Sequence, residues 1–274
     1  MTSPQLRPRL DVGQALREGW QAFCRAPWAF VGYTLLLAAL QITLQQALQP
    51  ILSADKLPPP IDPEAFAEWG TLLPWLRFFT VILCLAALNV LTGVVLNLWG
   101  TCGLVRGAWV ALGGGRPNLS TFTHWDPRAL LRLYLPGFLL GCGVVAAVAM
   151  ALMVAVVLSQ ANIFLALLPG LLLLAGALYL SLSQAFLPQL ALLREDHPFA
   201  ALAQGFEVVG PAWPQVVLLT LLTTGLLVVG LLAAVVGIVV AMPVVVCVST
   251  AAYRQLFGTT DHTGFLRSLP SAAL

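Results

Sequence analysis

The stretch "VVGPAWPQVVLLTLLTTGLLVVGLLAAVVGIVVAMPVVVCVSTAAY" (Val208–Tyr253) decides the fold, because none of its 46 residues carries a charge. A single helix of that length would measure about 69 Å at the usual rise of about 1.5 Å per residue. The hydrocarbon core of a bilayer is only about 30 Å thick, and about 20 apolar residues cross it. The stretch therefore predicts two membrane-spanning helices, with the turn between Gly230 and Gly237.

Four further apolar segments precede this stretch, and the composition agrees with a chain that is solvated mostly by lipid. Hydrophobic residues make up 59% of the 274 positions and charged residues only 9%, whereas soluble domains are about 25% charged. We expect an all-α polytopic membrane domain over residues 1–258 and a short cytoplasmic tail over 259–274. The six predicted spans are Trp28–Leu48, Phe78–Val105, Leu133–Leu158, Phe164–Leu193, Trp213–Leu232 and Val236–Ala252.

Basic residues are distributed unevenly between the two sides of this topology. With the N-terminus in the cytoplasm, the outer segments contain only Lys56 and Arg77. Cytoplasmic loops of membrane proteins carry an excess of Lys and Arg, so the asymmetry predicts that both termini are cytoplasmic. The inner segments contain eleven arginines: Arg7, Arg9, Arg17, Arg25, Arg106, Arg116, Arg128, Arg132, Arg194, Arg254 and Arg267.

An amphipathic helix is predicted immediately before the first span, over residues 11–26. In "ALREGWQAFCRAPW" (Ala15–Trp28) one helical face is apolar and the other polar, which is typical of a helix that lies in the membrane interface. A similar phrase, "ALAQGFEVVGPAWP" (Ala201–Pro214), precedes the fifth span, and Pro211 is expected to end it. The predicted lipid-interface residues of the two helices are Arg17, Trp20, Phe23, Arg25, Phe206 and Trp213.

A weaker third copy lies in "GGGRPNLSTFTHWDPRALLRLYLPG" (Gly113–Gly137), where Asp126-Pro127 is expected to cap a short arginine-bearing helix that enters the third span. Three copies predict a threefold pseudo-repeat, each unit being an entry helix followed by a transmembrane hairpin. The alternative is that amphipathic entry helices resemble one another for physical reasons alone. Only Ala15/Ala201, Leu16/Leu202 and Gly19/Gly205 are identical between the first and last copies.

Polar residues within the spans form two candidate sets, Asn89 and Asn97 on span two and Tyr179, Ser183 and Gln184 on span four. One interpretation makes them the lining of a polar intramembrane site for a solute or a lipid headgroup. The other, which we favour, is that they form hydrogen bonds with neighbouring helices, as polar side chains in membranes commonly do.

Span three carries Gly143, Ala147, Ala151 and Ala155 at intervals of four residues. Small residues at this spacing let another helix backbone approach closely. The stripe predicts helix packing, either within this bundle, which we favour, or between two copies of the chain.

No arrangement typical of an active site is present in the sequence. The spans contain no Asp, Glu, Lys or His, and the three histidines are scattered without metal-ligand spacing. Catalytic nucleophile, zinc-protease and phosphate-loop motifs are absent too. We predict a protein that is not an enzyme, with no catalytic residue, no cofactor and no metal, and with five reduced cysteines, because most of them lie within apolar runs.

The layout resembles uncharacterised bacterial six-span membrane proteins of the YciC-like family and the membrane domain attached to some glycerophosphodiester phosphodiesterases. The segments that carry the resemblance are "ALREGWQAFCRAPWAFVGYTLL", "AALAQGFEVVGPAWPQVVLL" and "PVVVCVSTAAYRQLFG". The resemblance implies a bacterial cytoplasmic (inner) membrane, or an internal membrane derived from it. It implies no established activity, and no catalytic residue can be transferred.

These observations predict a non-enzymatic membrane protein that acts through contacts, in the assembly, organisation or regulation of membrane components. Its expected partners are the lipid bilayer and either other membrane proteins or further copies of the chain. The net charge of +2 gives no reason to expect nucleic acid. The alternative is a small-solute permease or transporter subunit with its polar site on spans two and four.

Overall fold

The computed structural model describes residues 10–48, 69–160, 162, 164–194 and 197–266, and within these ranges it contains nine helices and no strand. The helices, in chain order, are α1 (Val12–Arg25), α2 (Pro27–Leu48), α3 (Trp69–Leu112), α4 (Leu119–Thr123), α5 (Pro127–Ser159), α6 (Leu167–Ser183), α7 (Leu187–Leu193), α8 (Pro198–Leu232) and α9 (Ala234–Phe257).

Six helical segments are long and apolar enough to cross a membrane, which confirms the predicted all-α fold with six spans. The fourth span consists of α6 and α7, which are separated by a short turn at residues 184–186. The six segments are Pro27–Ala47, Leu76–Leu112, Pro127–Ser159, Leu167–Leu193, Ala212–Leu232 and Val236–Phe257.

The turn between spans five and six falls at Ala233, between the two glycines that were expected to bracket it. Gly230 and Gly237 face each other across the turn. A Cβ atom added to Gly230 would lie only 3.0 Å from the carbonyl oxygen of Gly237 and 2.8 Å from the Cβ atom of Ala241. The glycines therefore let α8 and α9 approach closely directly after the turn.

Most buried residues lie at one end of the bundle, which we call the packed end. It comprises α1, α4, α7 with Arg194, the N-terminal parts of α2 and α5, the C-terminal parts of α3 and α9, the loop at residues 113–118, and residues 258–266. The halves of α3 and α5 at the other end contact the rest of the chain little, and no residue in the most apolar window of either helix is buried. Side chains at the packed end with at most 1% of their surface exposed include Ala15, Val105, Phe122, Leu190, Leu193 and Val248.

The predicted first entry helix is present as α1, but its apolar face packs on protein. The carboxylate of Asp11 caps the helix by accepting from the backbone nitrogen of Gln14 at 2.9 Å. Gly19 lies so close to α9 that an added Cβ would be 2.6 Å from the Cα atom of Val248. The expectation that Phe23 faces lipid is wrong, because Phe23 is only 6% exposed and contacts Phe30, with 5.9 Å between the ring centroids.

The second entry phrase is not a separate helix. Helix α8 continues through Pro211 and Pro214 into span five, so the expectation that Pro211 ends the helix is wrong. Proline removes one backbone donor, but in long apolar helices the neighbouring hydrogen bonds and helices compensate for this loss. The third entry signal is confirmed, since the Asp126 carboxylate accepts from the backbone nitrogens of Arg128 (3.0 Å) and Ala129 (3.3 Å) at the start of α5.

The entry segments contact the bundle in a cyclic order. Helix α1 packs mainly on α9, α4 packs on α3, and the start of α8 packs on α6 and α7. Each of the second and third entry segments thus contacts the last span of the unit before it in the chain. Helix α1, which has no preceding unit, contacts α9, the last span of the third unit. This order favours the threefold pseudo-repeat. The identities Ala15/Ala201 and Gly19/Gly205 have a packing reason as well, because all four positions are buried at helix contacts.

Residues 259–266, the part of the predicted cytoplasmic tail that the structure describes, pack against the ends of the helices. The backbone nitrogen of His262 donates to the carbonyl oxygen of Leu193 at 2.9 Å, and the Thr263 hydroxyl donates to the carbonyl oxygen of Leu192. Phe265 and Leu266 are 2% and 8% exposed, respectively. This segment belongs to the core because its apolar side chains complete the packed end. Residues 267–274 lie outside the described residues, as do Arg7, Arg9 and Lys56.

Candidate functional site

The two predicted polar sets lie in different parts of the bundle. Asn97 is exposed on the wall of a groove between α2, α3 and α9 with a volume of about 540 Å³, whose polar lining also includes Thr34, Gln41 and Thr101. Asn89, two turns away on α3, is half-buried. Span four contacts mainly α5 and α8 rather than α3. The structure therefore does not bring the two sets together into one site.

Of the polar residues of span four, Gln184 bonds to another helix, whereas Ser183 bonds within α6. The Ser183 hydroxyl donates to the carbonyl oxygen of Tyr179 at 2.9 Å, and the Gln184 amide nitrogen donates to the carbonyl oxygen of Leu202 on α8 at 3.2 Å. Gly205 permits this approach, since an added Cβ would lie 2.6 Å from the carbonyl oxygen of Ser183. The Tyr179 ring is 61% exposed and stacks on Phe206 at 6.0 Å.

The small-residue stripe of span three faces an open groove. Gly143 and Ala147 are exposed, and Ala151 is half-buried. Together with Leu168 and Leu172 of α6 they line an apolar groove of about 550 Å³. The stripe therefore lies beside α6, but the side chains of α6 do not fill the groove between the two helices.

The remaining lipid-interface candidates have surface positions. Trp20 and Trp213 are 53% and 58% exposed, and Arg17 is exposed on the outer face of α1. Arg25 is exposed as well, but one of its guanidinium nitrogens donates to the carbonyl oxygen of Ala111 at the end of α3. Phe206 is partly covered by Tyr179.

Three arginines at the packed end stack on aromatic rings. The Arg254 guanidinium lies 5.4 Å from the centre of the Trp109 ring, and that of Arg194 lies 5.5 Å from the centre of the Phe257 ring. Arg106 lies 4.3 Å from the centre of the Phe265 ring. Such cation–π contacts position a charge without neutralising it. They connect the ends of the second, fourth and sixth spans to one another and to residues 258–266.

Arg106 is buried within the packed end, which its sequence position did not lead us to expect. Its side chain is 0% exposed, and its Nη1 atom donates to the carbonyl oxygen of His124 at 3.1 Å. Its Nε and Nη2 atoms are buried and have no hydrogen-bond partner among the described residues. From the sequence, Arg106 was expected only as one of the cytoplasmic charges. The signal was the segment "GLVRG", where glycines flank the arginine inside a helix and leave room for Tyr33 and Phe122.

The part of the chain that the structure describes contains no group of three or more His, Cys, Asp or Glu side chains that could hold a metal ion. Comparison of the chain with protein-family models, with curated protein sequences and with solved structures finds no match.

Proposed function

We propose that this multi-pass protein acts through contacts with lipid and with other membrane proteins, and that it assists the assembly, organisation or regulation of membrane components. The division of the chain into a packed end and exposed apolar spans carries this proposal. The packed end holds one set of helix ends together through buried side chains. The exposed halves of α3, α5 and α6 offer the surrounding bilayer a large apolar surface.

The orientation proposed for this protein places the packed end in the cytoplasm of a bacterium, at the inner membrane or an internal membrane derived from it. Eight arginines of the described chain lie at the packed end, whereas Arg77 lies on α3 about 44 Å from Arg106 at the helical rise. The positive-inside rule supports this orientation. The eight are Arg17, Arg25, Arg106, Arg116, Arg128, Arg132, Arg194 and Arg254.

A contact function fits the way in which polar groups are used within the spans. Ser183 and Gln184 bond to backbone carbonyl groups and are 3% and 7% exposed, which leaves them little surface for a solute. The Gln184 bond joins span four to α8, and such bonds between helices contribute about 0.6 kcal/mol each on average in lipid. The Ser183 bond lies within α6 and satisfies its own hydroxyl.

A small-solute permease is the second candidate function, and the groove beside Asn97 is the observation that favours it. Its amide and hydroxyl groups lie among the apolar side chains of Leu37, Leu96 and Met242. A permease would need this groove to be filled with water along a path through the bilayer, whereas a contact protein would present it to lipid or to a partner helix.

The test places single cysteines in the full chain, on a background without the five native cysteines, and reconstitutes the protein in liposomes. A contact function predicts that a thiol replacing Asn97 does not react with a hydrophilic, membrane-impermeant thiosulfonate added to either side. A thiol replacing Thr260, which is exposed at the packed end, provides the positive control.

A photoreactive amino acid replacing Met153, which is 72% exposed on α5, is expected to form defined lipid or protein adducts in native membranes. Rapid thiosulfonate reaction at Asn97, slowed by a transported solute, would contradict the contact function and favour the permease.

A further inference from the structure

A polar pocket of about 360 Å³ opens at the packed end between α1, α3 and α9. Its walls include two arginines, Arg25 at the end of α1 and Arg254 at the end of α9. The only acidic side chain in its lining is Glu18. The pocket therefore has two positive charges against one negative charge.

Both guanidinium groups are held in place by partners that carry no charge. Arg25 donates to the carbonyl oxygen of Ala111, and Arg254 lies against the Trp109 ring at 5.4 Å from its centre. The carbonyl group and the indole position these groups without neutralising them, and Glu18 offsets part of the Arg254 charge. A net positive charge therefore remains available to a ligand. Planar guanidinium groups bind phosphate oxygens in a two-pronged manner, which makes phosphate the anion that suits them best.

Gln255 supplies a further donor in the wall of the pocket. Its side-chain oxygen accepts from the backbone nitrogen of Asp11 at 2.9 Å, which fixes the orientation of the amide. The amide nitrogen is buried and has no hydrogen-bond partner among the described residues. An unpaired buried donor is costly, so an acceptor supplied by a ligand would remove this cost. The Thr259 hydroxyl lies at the rim and can donate as well.

The carbonyl ends of the surrounding helices are capped and do not oppose an anion strongly. The backbone nitrogens of Gly113 and Gly115 donate to carbonyl groups in the last turn of α3. The backbone nitrogen of Gly258 donates to the carbonyl oxygen of Arg254 in the last turn of α9. The arginines themselves lie in the last turns of α1 and α9, where a positive charge is favoured by the helix dipole.

We propose that this pocket binds a phosphate group between Arg25 and Arg254, while Glu18 accepts a hydrogen bond from a hydroxyl or ammonium group next to the phosphate. Glu18 already accepts from the Gln14 side chain at 2.7 Å, which orients its carboxylate. The ligand class is a glycerophospholipid headgroup or a soluble phosphate ester of the same chemistry. This inference deepens the proposed membrane-contact function and rests on it for the lipid as the source of the phosphate.

The depth of the pocket favours the lipid. Trp20 and Trp28, which lie on either side of Arg25 in sequence, are 53% and 86% exposed. Exposed indoles concentrate at the boundary between hydrocarbon and headgroups. Arg25 therefore lies at the level where lipid phosphates are found.

The experiment measures lipid binding to the purified full chain in neutral detergent by native mass spectrometry. The probes are dioleoylphosphatidylglycerol, whose headgroup has hydroxyl donors, and dioleoylphosphatidylcholine, whose headgroup has none. We expect one phosphatidylglycerol to bind at least tenfold more tightly than phosphatidylcholine. Equal affinity for the two lipids would overturn the proposal for lipid headgroups.

Matched variants distinguish lipid binding in the pocket from attraction of the lipid by general surface charge. The double variant Arg25→Gln with Arg254→Gln should weaken phosphatidylglycerol binding at least tenfold. The control Arg116→Gln with Arg128→Gln removes the same number of charges from exposed positions outside the pocket and should change binding less than twofold. Equal losses in both double variants would mean that surface charge alone attracts the lipid.

Because Arg25 and Arg254 also contact the fold, Thr259→Glu provides a variant that leaves both arginines in place. It adds a repelling carboxylate at an exposed position and should weaken phosphatidylglycerol binding, whereas Thr259→Gln should not. Unchanged binding in Thr259→Glu would count against the pocket.

Soluble glycerol 3-phosphate is the second arm, measured by its competition with the lipid. Competition at micromolar concentration that disappears in the arginine double variant would identify a soluble phosphate ester as the ligand, and competition only at tens of millimolar would identify the lipid. If neither phosphatidylglycerol nor glycerol 3-phosphate binds in a way that depends on the two arginines, the proposed phosphate site is wrong. Failure of the proposed contact function would instead appear as thiosulfonate reaction at Asn97, which does not involve this pocket.

Discussion

The close contact between the backbones of α1 and α9 at the packed end leads to a sharp prediction for Gly19→Ala. The added Cβ would lie 2.6 Å from the Cα atom and 2.7 Å from the backbone nitrogen of Val248. Backbone atoms of a helix cannot rotate away as a side-chain tip can. Helix α1 must therefore move from α9 by about 0.8 Å to reach ordinary contact at 3.4 Å.

The cost of this shift follows from the side chains that α1 buries. Full burial of a large apolar side chain contributes about 1.5–3 kcal/mol, and α1 buries Val12 and Phe23 together with Ala15 and Ala22. A radial gap of about 0.5–1 Å removes a quarter to a half of the contact energy. For α1 this loss is about 1–2 kcal/mol. Residual strain from overpacking adds about 1–3 kcal/mol, and the better helix propensity of alanine returns about 1 kcal/mol. We expect a net loss of about 2 kcal/mol.

The assay is unfolding of the purified full chain in mixed micelles of a mild detergent and dodecyl sulfate, followed by circular dichroism. Gly13→Ala is the matched control, because it lies on the same helix, is exposed and would place its Cβ at an ordinary 3.4 Å from the Asp11 carboxylate. We expect it to be neutral or stabilising by up to about 1 kcal/mol. If both variants are equally stable, α1 does not pack on α9 through Gly19.

Three further variants test the other elements. Phe122→Ala should destabilise the protein by about 3–5 kcal/mol in the same assay, because the ring is fully buried against Phe30 at 5.0 Å, whereas Phe164→Ala, at a 77% exposed position, should change stability little. Asp126→Ala should cost about 1 kcal/mol through loss of the α5 cap, and Asp126→Asn, which keeps an acceptor, should cost less; equal losses would argue against capping. In intact cells, on a cysteine-free background, an impermeant maleimide should label a thiol replacing Ser53 but not one replacing Thr260. Strong outside labelling of Thr260 would contradict the proposed orientation.

The spans and the helix starts were predictable because they depend on local properties of the chain. Length and hydropathy set the six spans, since a bilayer core requires about 20 apolar residues whatever the fold. The 46 uncharged residues required a turn, which the structure places at Ala233. Asp126 was recognisable as a helix start, because a cap involves only the next two or three backbone nitrogens.

Whether the apolar face of a helix contacts lipid or protein was decided only by the tertiary structure. Residues 11–26 were predicted as a helix, which the structure contains as α1, but an apolar face has the same pattern whether it meets lipid or α9. Phe23 therefore faces protein while Trp20 remains exposed. Proline gave a misleading signal at Pro211, because continuation of α8 depends on neighbouring helices that the local sequence does not reveal.

The candidate sites show the same limit at longer range. Asn97 and Ser183 were each recognisable as polar groups within a span, but only the packing order of the helices determines that they lie apart. The pocket between Arg25 and Arg254 joins residues 229 positions apart in the chain. Local pattern determines which segments enter the membrane and how each helix begins. Contacts between distant segments determine which residues meet. These contacts depend on the cyclic order of the helices and on a few glycines, whose lack of a side chain lets helices approach closely.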